Sequence, residues 1–208
     1  MYSLKKQDYS LTNTYMANNN QEIEIQVNIE NSSPLLNFLK SKGTFKHEVR
    51  QIDKYFSPTD NSFLATRPVS RWLRLRQTDK GCSFNYKNWH FDKDGKSNYC
   101  DEFETEIGDI GAVEKILEAL EFNNITIVDK TRKIWTFDVY EIAIDSIKNL
   151  GDFVEIEYIG SDNEIDPKKV TDEMIKFLKE IGAGKITRNY VGYPFIMLFP
   201  DEVKYDIL

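Results

Sequence analysis

The sequence predicts an α+β domain in which antiparallel strands dominate and a few helices pack against them. The main observation is strict alternation of apolar and polar residues, as in EIEIQVNIE at 22–30, because successive side chains of a strand point to opposite faces. A second observation is that helix start and stop signals occur at only three places. No linker or repeat interrupts the 208-residue chain after about residue 21. We therefore expect a flexible N-terminal arm, residues 1–21, followed by one domain, residues 22–208.

Three helices are predicted from signals at their ends. The segment NSSPLLNFLKSKG offers a serine as N-cap, Pro34 at the first helical position and Gly43 as a stop. The second helix is amphipathic and lies within residues 109–122. The third enters at Pro167 and ends near Gly182.

Seven further segments predict strands, and nearly all of them have one apolar face and one ionisable face. Short turns at 79–81 and 94–95 are typical of hairpins. The pattern leaves two arrangements open. Either an open sheet shows its charged face to water, or the sheet curls with its apolar face outward and encloses a charged tunnel. The segments are residues 49–56, 71–78, 82–91, 100–107, 126–139, 140–145 and 153–160.

Composition argues against several classes of protein. The net charge of −7 disfavours a general nucleic-acid binder, since phosphate contacts need a basic surface. No stretch approaches the ~18 consecutive apolar residues of a membrane helix, and the N-terminus lacks the apolar run of a secretory signal. Cys82 and Cys100 show no metal-ligand spacing and are expected as free thiols, which points to the cytoplasm. Two histidines are too few for a multi-histidine metal site.

The order of the motifs resembles that of the CYTH superfamily, the triphosphate tunnel metalloenzymes. EIEIQ at 22–26 resembles the Glu-x-Glu-x-Lys signature of that family, and the match runs to about Tyr158, more loosely to ITRNYVG. The resemblance implies an eight-stranded antiparallel β-barrel, the triphosphate tunnel, with helices packed on its outside. The nearest branches are the class IV adenylyl cyclases and the thiamine triphosphatase-like proteins. The later pieces, in family order, are QIDKYF, LRLR, FNYKNW, EFETEI, DKTRKIW and IAIDSIKNLGDFVEIEY.

The resemblance also implies roles for single residues. Cationic groups suit a triphosphate, and carboxylate oxygens suit Mg²⁺ or Mn²⁺. Gln26 stands where the family has Lys, so it can hydrogen-bond a phosphate oxygen but brings no charge, a loss on the order of 1.5–3 kcal/mol. The implied phosphate-binding residues are Arg74, Arg76, Lys87, Lys130 and Arg132, with Gln26, Lys185 and Arg188 as further candidates. The implied metal ligands are Glu22, Glu24, Glu155 and Glu157, the catalytic residues Asp145, Lys87 and Arg132, and the supporting residues Glu104 and Glu106.

The expected function is that of a metal-dependent enzyme acting on a small-molecule triphosphate. A class IV-type adenylyl cyclase comes first, in which the ribose 3′-hydroxyl of ATP attacks the α-phosphorus and pyrophosphate leaves. The alternative is a triphosphatase for thiamine triphosphate or inorganic triphosphate, in which water attacks the terminal phosphorus. A tunnel that binds an anion without turnover is the third reading. No nucleic-acid or membrane partner is expected, and a homodimer is left open.

Overall fold

A computed structural model describes residues 21–161 and 165–208, and the predicted arm lies outside these residues except for Gln21. The strands are β1 (Gln21–Glu22), β2 (Glu24–Ile29), β3 (Thr44–Pro58), β4 (Arg71–Gln77), β5 (Cys82–Phe91), β6 (Ser97–Ile107), β7 (Phe122–Phe137), β8 (Tyr140–Ile147), β9 (Gly151–Tyr158), β10 (Ile186–Asn189) and β11 (Asp206–Ile207). The α-helices are α1 (Ser33–Lys42), α2 (Ile110–Ala119), α3 (Pro167–Glu180) and α4 (Gly192–Leu198).

The sheet closes on itself through the segment that begins at Gln21. Antiparallel ladders join the strands in the order β6-β5-β4-β3-β7-β8-β9. β1 pairs with β6 and β2 pairs with β9, and these two short strands are parts of one segment interrupted at Ile23. The carbonyl oxygen of Ile23 still accepts a hydrogen bond from Tyr158 N at 2.9 Å. With β1 and β2 counted as one strand, eight strands form the ring, and the predicted barrel is confirmed. β10 and β11 extend the sheet from β2.

The outer face of the barrel is apolar and lies under helices. Ile25 and Val27 of β2 are buried against Leu35 of α1 and Met174 of α3. A second cluster on the outer face includes Leu117 of α2. Burial of each such side chain is worth roughly 1.5–3 kcal/mol, which is sufficient reason for the sheet to turn this face towards the helices. The polar side of β2 consequently faces the barrel interior.

The three predicted helices are confirmed, and their ends follow the sequence signals. α1 has Ser32 as its N-cap residue and Gly43 as its C-cap residue. α3 begins at Pro167, and the carboxylate of Asp166 accepts hydrogen bonds from two backbone N–H groups of its first turn. Within residues 21–161 and 165–208, no helix is both long and apolar enough to cross a membrane.

The sequence does not predict α4, which closes one end of the barrel. Near this end the inward-facing strand positions are apolar, although positions further along the same faces are charged. α4 fills the space between them with three large side chains, Tyr193, Phe195 and Ile196. The barrel interior is therefore apolar at the α4 end and charged beyond it. The inward-facing residues that pack with α4 are Tyr55, Trp72, Val128, Ile147 and Phe153.

Candidate active site

A cavity of about 290 Å³ occupies the charged part of the barrel interior. Seven carboxylates and five cationic side chains line it, and all of them come from inward-facing strand positions. The charged faces thus point into the barrel, and the open-sheet alternative does not apply. The carboxylates are Glu22, Glu24, Glu102, Glu104, Glu141, Glu155 and Glu157, and the cations are Arg74, Arg76, Lys87, Lys130 and Arg132.

The cavity is deepest at α4 and opens at the other end of the barrel. The Lys130 side chain, close to α4, is 3 % exposed, and the Asp145 side chain beside it is 0 % exposed. On the far side, the Glu104 side chain is 41 % exposed and that of Arg76 is 16 % exposed. A ligand would therefore enter from the end that carries Glu104.

Arg74 and Arg76 lie two residues apart on β4 and share the buried counter-ion Asp53. Arg76 donates from Nε and Nη2 to the two carboxylate oxygens of Asp53, both at 2.7 Å. Arg74 is held more loosely, with Nη1 3.9 Å from Asp53 and Nη2 donating to Glu104 at 3.5 Å. Burial raises the pKa of Asp53, but the Arg76 guanidinium outweighs burial and holds that pKa well below its usual range. Asp53 therefore remains ionised and fixes Arg76, while Arg74 is freer to contact a ligand.

Asp145 lies behind Lys130 and Arg132 and holds both of them. Arg132 donates from Nε and Nη2 to Asp145 at 2.7 and 2.6 Å, and its Nη2 also donates to Glu155 at 2.7 Å. Lys130 Nζ and the Tyr193 hydroxyl donate to Asp145 Oδ2 at 3.2 and 2.9 Å. Burial raises the pKa of Asp145, but the positive charges of Arg132 and Lys130 have the larger effect, so the pKa lies below its ordinary value. A fully paired carboxylate with a lowered pKa is a poor proton acceptor, so this geometry favours a positioning role.

Lys87 is the centre of an acidic cluster near the start of β2. Its ammonium lies 2.5 Å from Glu22, 3.8 Å from Glu24 and 3.7 Å from Glu102. Burial lowers the pKa of Lys87, yet these carboxylates raise it well above its ordinary value. Burial raises the pKa of Glu22, but the ammonium of Lys87 has the larger effect and lowers this pKa to about 2. Lys87 and Glu22 therefore remain ionised.

Glu24 and Glu157 are paired across β2 and β9, and their ionisation is unfavourable. Burial, together with the neighbouring carboxylates, raises the pKa of Glu24 well above its ordinary value despite Lys87. Burial and Glu22 raise the pKa of Glu157 to about 8. Among the described residues, the buried Oε2 of Glu24 has no hydrogen-bond donor. A divalent cation would relieve this repulsion and give the orphaned oxygen a partner.

The residues present fit a hard divalent cation, although they are not gathered around one point. All four predicted ligands offer carboxylate oxygens, which Mg²⁺ and Mn²⁺ prefer. In the part of the chain that the structure describes, no group of three or more His, Cys, Asp or Glu side chains forms a ready-made metal site. Glu22 and Glu155 are paired with Lys87 and Arg132 instead.

Gln26 lies between the main cavity and a small niche that contains Arg188. Its Nε2 donates to Asn189 Oδ1 at 3.2 Å, and the same oxygen accepts from two backbone N–H groups at the start of α4. Arg188 is buried, and its Nη2 donates to the Ser97 carbonyl oxygen at 3.2 Å. Gln26 thus reaches the cavity, whereas Arg188 adjoins it from the niche.

Two of the remaining predicted residues lie outside the cavity. Glu104 lines the mouth, and Ser83 Oγ donates to it at 2.7 Å. Glu106 is exposed near the end of β6. Lys185 is exposed before β10, with its backbone N donating to Glu30 Oε2 at 3.0 Å.

Glu141, Asp53 and Tyr193 belong to the site but were not predicted from the sequence. Glu141 lines the cavity, and Asp53 holds the two arginines of β4. Both could have been found, because Glu141 is in phase with Asp145 on β8 and Asp53 lies on the inward-facing side of β3. Tyr193 carried no such signal, since it reaches Asp145 from a helix that the sequence does not predict.

Comparisons with known proteins agree with this architecture. Residues 20–190 match the family model of the CYTH domain. The chain is 33 % identical over 166 residues to "Putative adenylate cyclase MJ0240" of Methanocaldococcus jannaschii, which covers 79 % of this chain and 91 % of that protein. A solved structure of a "putative adenylate cyclase" from Vibrio parahaemolyticus matches with a TM-score of 0.66 at 18 % identity, covering 85 % of this chain and 97 % of that one. The structure of HpAC1 from Hippeastrum matches with a TM-score of 0.58 at 20 % identity, covering 86 % and 95 %. At these identities the two structures show the fold alone.

Proposed function

The chain belongs to the CYTH domain family, and from this we propose that it is an enzyme that binds a triphosphate in its barrel cavity and breaks a P–O bond. The first candidate is a class IV-type adenylyl cyclase, which converts ATP to cyclic AMP and pyrophosphate. The observation that carries the proposal is the set of five cations from β4, β5 and β7 that face one enclosed cavity. Burying these cations together with the carboxylates that pair with them is costly, and a polyanion bound with divalent cations would use both sets of charges.

The cations would bind and orient the triphosphate by charge-assisted hydrogen bonds. Arg74 is tied only loosely to protein carboxylates, so it can turn towards phosphoryl oxygens at little cost. Arg132 and Lys130 are held by Asp145 and present fixed charge at the deep end. Such preorganised charge stabilises the negative charge that develops as a P–O bond breaks.

Divalent cations would complete the charge balance of the bound triphosphate. Glu22, Glu24, Glu155 and Glu157 are the residues that would hold Mg²⁺ or Mn²⁺. When bound, the metal would supply further charge stabilisation to the phosphoryl oxygens. The barrel wall and α4 would exclude bulk water from the reacting groups, which strengthens each of these interactions.

A triphosphatase is the second candidate. The deep end of the cavity is polar at Lys130, Asp145 and Tyr193, and could hold a water beyond a terminal phosphorus. The Hippeastrum protein, named a putative adenylyl cyclase, is described as having a dominant triphosphatase activity. Relatives with a cyclase name are therefore compatible with either reaction.

Product analysis distinguishes the candidates. The protein is incubated with ATP, thiamine triphosphate or tripolyphosphate in the presence of Mn²⁺. Cyclic AMP with pyrophosphate from ATP supports the cyclase, and orthophosphate release supports the triphosphatase. Saturable binding without product would indicate a non-catalytic tunnel and overturn the proposed enzyme. Lys130→Ala and Lys185→Ala form a matched pair: the first should abolish activity and the second, outside the cavity, should not.

We place this activity in the cytoplasm. Nucleotide triphosphates are cytoplasmic metabolites, and both cysteines, Cys82 and Cys100, are unpaired in the structure. Free thiols support a reducing compartment.

A further inference from the structure

Three large apolar side chains are exposed on the outside of the barrel around α2. Phe103 of β6 is 55 % exposed, and Ile116 and Leu120 of α2 are 56 % and 62 % exposed. Single exposed apolar residues are common on protein surfaces, whereas a contiguous group of them marks a surface that contacts another chain segment. The orientation of α2 decides whether these three residues form such a group.

α2 turns Ile116 and Leu120 towards β5 and β6. The carboxylate of Glu114 accepts a hydrogen bond from Lys54 of β3, which places that side of the helix over β3. Successive residues of an α-helix lie about 100° apart around its axis, so Ile116 lies about 200° and Leu120 about 240° from Glu114. These two residues therefore point away from β3, towards the strands on the other side of β4.

Tyr86 joins Phe103 to α2. It is paired with Phe103 across β5 and β6, and it packs with the cluster that contains Leu117 of α2. We call the surface formed by Tyr86, Phe103, Ile116 and Leu120 the α2–β6 face. Since β6 lies two strands from β4, the face is about 10 Å wide, and a few side chains are enough to cover it.

The chain that precedes Gln21 starts at the edge of the α2–β6 face. Gln21 is paired with Asp101 and Glu22 with Cys100, so this chain leaves Gln21 in the direction of Phe103. Phe103 lies two positions from Asp101 on β6, about 7 Å away. Residues 1–20 are thus tethered beside the face, and such a tether gives an effective concentration in the millimolar range.

The positions of the apolar residues before Gln21 fit the size of the face. Tyr15 and Met16 are the last large apolar residues before Gln21. The five residues from Met16 to Gln21 can span roughly 17 Å, which exceeds the width of the face. Their side chains can therefore reach Ile116 from the point of attachment.

Charge favours this segment over a second copy of the protein. Lys5, Lys6 and Asp8 give residues 1–20 a net charge of +1, so residues 21–208 carry −8, because the whole chain carries −7. A second copy would bring the same negative charge to the contact, and like charges repel.

We propose that residues 1–20 of the same chain cover the α2–β6 face, with Tyr15 and Met16 in contact with Phe103 and Ile116. The face lies outside the barrel, so this interaction does not depend on the proposed function.

Disulfide trapping in the full-length chain tests the contact. Met16→Cys is combined with Ile116→Cys in one protein and with Glu118→Cys in the other, both with Cys82→Ser, which removes the partly exposed native thiol. Ile116 and Glu118 are both exposed on α2 but lie about 200° apart around it, so only Ile116 is on the α2–β6 face. The rate of disulfide formation is measured with a mild oxidant, and non-reducing electrophoresis separates disulfides within one chain from those between chains.

We expect the disulfide within one chain to form at least tenfold faster with Ile116→Cys than with Glu118→Cys. Adding Tyr15→Ser should bring the faster rate down towards that of the control. Equal rates in the two proteins would overturn the proposal. Disulfides formed mainly between chains would also overturn it, because a second copy would then cover the face.

Discussion

Substitution of Arg76 leaves a buried carboxylate without its main partner, whereas substitution of Arg74 does not. Arg76→Ala strips the buried carboxylate of Asp53 of its two 2.7 Å hydrogen bonds. Loss of one partner of a buried pair costs about 3–5 kcal/mol. Arg74→Ala leaves that bidentate pair in place, so we expect a smaller loss of unfolding free energy. Urea denaturation of both variants measures the difference.

Arg74→Ala should nevertheless be the clearer catalytic defect. Its guanidinium is the one least committed to protein carboxylates, so its loss acts mainly on the ligand. We expect kcat/KM to fall on the order of thirtyfold or more, which corresponds to about 2 kcal/mol. Wild-type kinetics in this variant would exclude β4 from the substrate site.

Gln26→Lys should strengthen triphosphate binding. The new ammonium would add a positive charge to a lining in which carboxylates outnumber cations seven to five. A charge-assisted contact in place of a neutral one is worth about 1.5 kcal/mol or more, so we expect roughly tenfold tighter binding of tripolyphosphate by calorimetry. Gln26→Met is the matched control without charge. Equal affinity in the wild type and the lysine variant would mean that residue 26 does not contact phosphate.

Lys130 should make triphosphate binding sensitive to alkaline pH. Burial and the repulsion of Arg132 lower the pKa of Lys130 to about 8, although Asp145 opposes the shift. Above that pH the free protein carries a neutral amine at the deep end, so we expect affinity to decline as the pH rises from 7 to 9. Lys130→Arg keeps its charge throughout this range and should not show the decline. A parallel decline in both proteins would assign the effect to another group.

Among the elements, α4 stabilises the site through one hydroxyl group. The Tyr193 hydroxyl donates to the buried carboxylate of Asp145 at 2.9 Å. A hydrogen bond to a charged group contributes about 1.5–3 kcal/mol, so Tyr193→Phe should lower the unfolding free energy by that amount. Because Arg132 and Lys130 still hold Asp145, kcat/KM should fall less than in Arg74→Ala. Denaturation and steady-state kinetics on the same preparation test both expectations.

The elements also differ in how far the sequence predicts them. α1 and α3 were predictable because a cap and a proline mark their starts, and a glycine follows each of them closely. α4 is short and apolar on all sides, with the sequence GYPFIML, so it shows no amphipathic period. The apolar inward-facing positions that it covers, such as Val128, are in phase with the charged positions of the same strands. Tyr193 of α4 lies 65 residues after Val128 and 138 after Tyr55, so no local pattern encodes these contacts.

At the scale of the whole molecule, the excess of carboxylates in the barrel interior favours binding of a metal cation. The lining carries more carboxylates than cations even before a polyanion enters. We expect excess chelator to abolish turnover and Mn²⁺ or Mg²⁺ to restore it. The same metals should raise the free energy of unfolding by about 2.7 kcal/mol when the free metal concentration is a hundredfold above its dissociation constant. Unchanged turnover in excess chelator would remove the metal from the proposed function.

Closure of the barrel could not be predicted from alternation, since an open sheet and a barrel need the same period of two. The order of the motifs favoured the barrel, and the ladder that returns through β1 and β2 confirms it. The break at Ile23 is what allows one segment to pair with β6 before it and β9 after it. The phosphate-binding candidates of β4 and β7 were predicted from this order. Asp53 and Glu141 were not, although each is in phase with the inward-facing positions of its own strand.

The blind end at α4 also has a kinetic consequence. Among the residues that the structure describes, α4 closes the deep end of the cavity. The fragment formed deeper must therefore wait until the outer fragment has gone, so products leave in a fixed sequence. Cyclisation of ATP would release cyclic AMP first and pyrophosphate last, and hydrolysis would release the nucleoside diphosphate first and orthophosphate last. The last fragment to leave binds the same free enzyme as the substrate, so its inhibition is competitive with substrate. The first fragment binds the enzyme that still holds the other fragment, so its inhibition is not competitive. Product-inhibition patterns should thus report which phosphorus was attacked.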